Sequence, residues 1–121
     1  MSVPHHHGHP FEGLTALPQT QDFAVAAEHF KLLGDPTRLR LFWLLTHGEE
    51  CVLNLSALLD MSSPALSHHL KLLRVAGLAV CRREGKEMYY TAAHTPQTRA
   101  LHGIIEQMMH LTCPAEKEEE I

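Results

Sequence analysis

Four side chains near the end of the chain could hold a metal ion: His102, Glu106, His110 and Cys113. Their spacing of four, four and three lines them along one side of a helix. At about 1.5 Å of rise per residue, His102 and His110 stand about 12 Å apart along the axis, too far to share an ion. Two antiparallel copies remove that obstacle, because the start of one helix then lies beside the end of the other. Imidazole with one thiolate suits Zn²⁺, and also Ni²⁺ or Co²⁺. A second collection, His5, His6, His7 and His9, crowds the N-terminal arm. Such clusters bind metal readily whether or not they sense it.

A different chemistry is offered between Met61 and Arg99. Ser62, Ser63, Ser67 and His68 fall on the side of a helix turned away from Leu66, Leu70 and Leu73. Small hydroxyls and an imidazole can approach base edges and phosphates closely, and the helix N-terminus adds free N–H groups for a phosphate. Arg82, Arg83 and Lys86 cluster just beyond, where they could meet a nucleic-acid backbone. The net charge of −4 argues against such a partner only on average. Four glutamates crowd Glu116 to Ile121, whereas Lys71, Arg74, Arg82, Arg83, Lys86 and Arg99 face only Glu84 and Glu87 within their segment. Local excess governs phosphate binding.

With 121 residues, 45% of them hydrophobic and 20% charged, the chain is the size of one soluble domain. No apolar run approaches the roughly 18 to 20 residues of a membrane span, and Met1 to Gly13 lacks the apolar stretch of a secretory signal. Cys51, Cys81 and Cys113 are odd in number and far apart, which argues against a disulfide framework and for a reducing, cytoplasmic setting. Cys51 and Cys81 read first as small buried hydrophobes, although Cys51 with Cys113 could instead form a thiol-based redox or sulfide switch. Neither a Gly-rich cofactor loop nor a nucleophile–base arrangement is evident, so an enzyme is not expected.

The elements that must position these groups follow from pattern. Residues 1–20 read as a His- and Pro-rich flexible arm, 21–113 as the folded domain and 114–121 as an acidic tail. A helix from Asp22 carries Phe23, Ala26, Ala27, Phe30, Leu32 and Leu33, and Gly34 stops it. Asp35-Pro36 opens a second, with a capping residue and Pro at the first position. A brief helix over Asn54–Leu59 precedes another that begins at Ser62-Ser63-Pro64 and closes at Gly77. Two alternating segments, Leu78–Arg82 and Glu87–Thr91, are joined through Gly85 as a hairpin. The final helix, about Pro96 to Thr112, shows an apolar stripe of Leu101, Ile104, Ile105, Met108 and Met109, which predicts a dimer face. This order is mainly α with a small β-hairpin: a homodimeric winged helix-turn-helix.

Three segments carry a more specific resemblance. Phe30-Lys31-Leu32-Leu33-Gly34-Asp35-Pro36-Thr37-Arg38-Leu39-Arg40-Leu41, then Ser67-His68-His69-Leu70-Lys71-Leu72-Leu73-Arg74-Val75-Ala76-Gly77-Leu78, then Gly85-Lys86-Glu87-Met88-Tyr89-Tyr90 are similar, in order, to the opening, recognition helix and wing of the ArsR/SmtB family of bacterial metal-responsive repressors. The resemblance covers about Ala26 to Cys113. It implies a homodimeric repressor that binds double-stranded operator DNA and leaves it when a transition metal ion binds. The family's final-helix sensors pair an early ligand pair of one subunit with a late pair of its mate. The late pair matches as His110 and Cys113; of the early pair His94 is present, but Pro96 takes the second position. His102 or an arm histidine is left as the fourth ligand. A second family site is built on a Cys-Val-Cys run, and Cys51-Val52-Leu53 keeps only its first cysteine.

Overall fold

The structure, a computed structural model, describes residues 17–112, with side chains described through His110. The arm histidines, Cys113 and the acidic tail lie outside the described residues. Eight elements follow in order: α1 (Thr20–Leu32), α2 (Pro36–Leu45), β1 (Glu50–Cys51), α3 (Val52–Leu59), α4 (Ser63–Val75), β2 (Ala79–Glu84), β3 (Glu87–Ala92) and α5 (Pro96–Thr112).

Local chemistry sets the boundaries. The Asp35 carboxylate accepts from the Arg38 backbone N–H at 2.9 Å, with Pro36 just inside α2. Ser62 caps α4, its Oγ accepting from Ala65 N at 3.3 Å, with Pro64 again in the first turn. Between these helices Asp60 turns the chain through left-handed geometry (φ 53°). Gly77 (φ 80°) ends α4 where a side chain would be strained, and Gly85 (φ 62°) does the same in the β2–β3 turn.

Where two strands are expected, three form. The antiparallel sheet has the order β1-β3-β2, with Cys81 opposite Tyr90 and Cys51 opposite Tyr89. β1 is two residues long and passes straight into α3, too short to show an alternating pattern. The core is leucine-rich: Leu41, Phe42, Leu45, Leu55, Leu66, Leu70, Leu73 and Leu78 are all essentially inaccessible. α1 contributes no buried residue, and its Phe23 and Phe30 stand exposed. Within the single chain the α5 stripe, expected as one dimer face, divides. Leu101 and Ile105 are buried in this chain's own core, Met109 packs partly against it, and Ile104 and Met108 face outward. Cys81, expected in the core, is only half-buried, whereas Cys51 is buried.

Candidate nucleic-acid interface and donor cluster

The amphipathic pattern of α4 fixes which side chains it presents. Leu66, Leu70 and Leu73 anchor it, leaving Ser62, Ser63, Ser67, His68 and Lys71 exposed. All four α4 residues singled out from sequence therefore share an accessible end of the helix. The Ser62 hydroxyl oxygen is engaged as a cap acceptor, while its proton remains available to a phosphate.

The neighbouring His69 has a different task. Its Nδ1 lies 3.1 Å from Arg38 Nη1 while Arg38 Nε donates to the Leu32 carbonyl at 2.8 Å. Arg38 has no acceptor, so His69 Nδ1 must be the accepting nitrogen. Burial, reinforced by the Arg38 charge, lowers the His69 pKa and keeps the ring neutral. One guanidinium thus ties the end of α1 to the middle of α4, a role that the Asp35-Pro36-Thr37-Arg38 wording alone does not disclose.

On the wing the three cations separate. Arg82 donates from Nε and Nη2 to the Glu49 carboxylate, both at 2.7 Å, and from Nη1 to Glu84, and its guanidinium lies 4.9 Å from the centre of the Tyr89 ring. These carboxylates raise its pKa still further and satisfy its donors internally. Arg82, still exposed, thus braces the wing against the α2–β1 loop through Glu49. Arg83 and Lys86 are exposed and form no ion pair among the described residues. Replacing both with alanine should lower affinity for promoter DNA and reduce the slope of log affinity against log salt by roughly 2, because about 0.9 counterions are released per phosphate contact. Arg82→Ala should leave that slope unchanged. Anisotropy titrations across a salt series check both.

Among the described residues, the predicted metal donors His94, His102 and His110 do not gather into one cluster within the chain. His94 is exposed between β3 and α5 and lines, with Thr98, Arg99 and His102, a small cavity of about 130 Å³. His110 lies at the far end of α5 and is half-buried. His102 instead meets Glu106 one turn on and His47 just beyond α2, their ligand atoms all within 4.8 Å of one another. Nothing periodic marks His47 in the sequence. Its proximity to α5 is purely tertiary.

This arrangement, a capped helix with a polar outer face, a basic hairpin beside it and a long terminal helix, has close counterparts among known proteins. The pattern described as "Bacterial regulatory protein, arsR family" matches residues 35–79. Over 87 residues the chain is 38% identical to the biofilm growth-associated repressor of Agrobacterium fabrum, covering 72% of this chain and 71% of that one. The chain belongs to the ArsR family. It is also 43% identical over 76 residues to the arsenical resistance operon repressor of Escherichia coli K12, covering 61% of this chain and 65% of the relative. The ArsR-family chain spans about half to two thirds of several curated relatives it matches. Its fold matches a homodimeric winged helix-turn-helix DNA-binding domain from Mycobacterium bovis, a possible ArsR-family regulator, at a TM-score of 0.66 and 25% identity, covering 81% of this chain and 94% of that one. These matches are transcriptional regulators rather than enzymes.

Proposed function

We propose that this ArsR-family chain is a homodimeric, cytoplasmic repressor that binds double-stranded operator DNA and is released by a transition metal ion, Zn²⁺, Ni²⁺ or Co²⁺. The observation that carries the DNA-binding part is α4, whose leucine face is locked into the core while Ser62, Ser63, Ser67 and His68 are all exposed. In this reading α4 enters the major groove, Arg83 and Lys86 meet the flanking backbone, and a symmetric dimer reads two half-sites of a palindrome. Among the described residues, no helix is long and apolar enough to cross a membrane.

The metal part rests on the donors of α5. Imidazole and carboxylate groups on that helix, with Cys113 following, suit a borderline divalent ion. Following the family's pattern, His94, with His102 as a supplementary donor, would combine with His110 and Cys113 of the mate. Bound between subunits, such an ion supplies the free energy that favours the low-affinity orientation, at about 1.4 kcal/mol per tenfold of operator affinity. A thiol switch using Cys51 and Cys113 is less well supported, because the Cys51 thiol is buried at the start of α3 and lacks the access a redox sensor needs.

Promoter-DNA binding by the metal-free chain, repeated with saturating Zn²⁺, Ni²⁺ or Co²⁺ and again after a chelator, tests the proposal. Reversible weakening of at least about tenfold is expected, equivalent to about 1.4 kcal/mol of coupling. Affinity unchanged by all three ions overturns the metal part, and no binding by the metal-free chain overturns the DNA part.

A further inference from the structure

The geometry points to a metal site inside each subunit, formed by His47, His102 and Glu106, for a borderline divalent ion such as Zn²⁺ or Co²⁺. It rests on the metal-responsive reading above and relocates the sensing site from between the subunits to the contact of α2 with α5.

Three observations carry it. First, three donor groups from two separate parts of the chain gather in one place, their ligand atoms all within 4.8 Å of one another. Glu106 Oε2 lies 3.7 Å from His47 Nε2 and 3.8 Å from His102 Nε2, beyond hydrogen-bonding range. A tetrahedral ion with bonds of about 2.0 to 2.2 Å holds its ligand atoms about 3.3 to 3.6 Å apart, so the two Glu106 distances need shorten by only tenths of an ångström, while the two imidazole donors, within 4.8 Å of each other, have at most about 1.5 Å to close. Second, His102 Nε2 is shielded from solvent and has no hydrogen-bond partner among the described residues. A buried nitrogen left so is costly, and a cation in the cluster would satisfy it. Third, the surrounding residues orient the donors. Trp43 Nε1–H donates to Glu106 Oε2 at 2.5 Å, and its ring lies 4.2 Å, centre to centre, from that of His47. The rings of His47 and His102 meet edge to face at 5.2 Å. An outer hydrogen bond that aims a carboxylate is a regular feature of metal sites.

The donor chemistry narrows the ligand class. Two imidazoles and a carboxylate, with no thiolate, suit Zn²⁺, Co²⁺ or Ni²⁺ and give no soft sulfur for trivalent arsenic. Three protein ligands leave a coordination position open for water or for a donor from elsewhere. The site would join the end of α2, next to the Glu49 that braces the wing through Arg82, to the exposed α5 surface at Ile104 and Met108.

The test is Co²⁺ and Zn²⁺ binding to the full-length chain by visible absorption and calorimetry. It is run in the native sequence and in a background with His5, His6, His7 and His9 replaced by glutamine. His47 is exposed, so His47→Gln should fold normally, and its DNA binding without metal should be unchanged. It should lose affinity for both ions beyond the roughly 10- to 100-fold expected for removing an outer-shell partner, as should Glu106→Gln. His110→Gln and Cys113→Ser should stay within about threefold of the parent, well short of that loss. Equal binding by His47→Gln and the parent, or binding that disappears with the arm histidines alone, overturns the site. If His47→Gln is still released from DNA by metal, this site is wrong while the proposed function stands. If the parent binds metal through His47 but keeps its DNA affinity, the site stands and the metal-responsive function fails.

Discussion

Replacing Ile104 and Met108 together with glutamate should leave a folded monomer whose operator affinity falls by about 100-fold or more, because one subunit alone forfeits the gain from linking two half-sites. Phe23 (63% exposed), Phe30 (58%), Ile104 (44%) and Met108 (60%) leave α1 and α5 with a large apolar surface in the single chain. Between them runs an apolar groove of about 710 Å³, to which Leu39 and Trp43 also contribute. Monomeric soluble proteins seldom keep so continuous an apolar surface in water, and covering each large side chain contributes roughly 1.5 to 3 kcal/mol. Glutamates facing each other across a two-fold axis would be desolvated without partners, which turns that gain into a penalty. Ile105→Glu would test something else, since Ile105 is 8% exposed and packs in the core, so its replacement unfolds the subunit. Sedimentation and thermal melts distinguish the two outcomes. A double variant that remains dimeric would remove α5 from the interface.

The difference between Ile104 and Ile105 shows where sequence reasoning stopped. Five apolar positions on α5 cover too wide an arc to face one neighbour, but only the placement of α2 and the core reveals that they serve two. Wherever a boundary depends on chemistry within a few residues, the sequence is sufficient. Asp35-Pro36, Ser62 with Pro64, and Gly77 each act through caps or backbone angles that their own side chains determine. The inward leucines of α4 are equally legible, because one helical period carries them.

What escapes is pairing between distant segments. Glu49 and Arg82 are 33 residues apart and neutralise each other only because β1 lies beside β3 and so brings the α2–β1 loop to the wing. Arg38 and His69, 31 apart, meet for a similar reason. His47 carries no local mark at all, and its companions His102 and Glu106 were visible only as two members of a longer stripe on one helix. A stripe gives direction along a helix but not which neighbour it meets.

The second large effect concerns the two faces of α4, which should be separable by mutation. Leu70→Ala should destabilise the domain by about 2 to 5 kcal/mol, the range for truncating a fully buried leucine that leaves a cavity. Leu70 has no accessible surface and lies between Leu66 and Leu73, each equally buried, so little can move in to fill the space. For a domain of this size each 1 kcal/mol lowers Tm by about 4 to 8 °C, and the melting point should drop by roughly 10 °C or more. Val75→Ala, on the same helix but 74% exposed, should stay within about 0.5 kcal/mol. The exposed face should behave the opposite way. His68→Ala should leave the melt unchanged yet cost about 1 to 3 kcal/mol of operator binding if its imidazole reads a base. At a temperature where Leu70→Ala is still folded, its DNA affinity should stay close to that of the parent, because Ser63, Ser67 and His68 are untouched. Thermal melts paired with anisotropy at low temperature supply both readouts. If Leu70→Ala, while fully folded, lost as much affinity as His68→Ala, the outer face of α4 would depend on its core in a way that this packing does not provide.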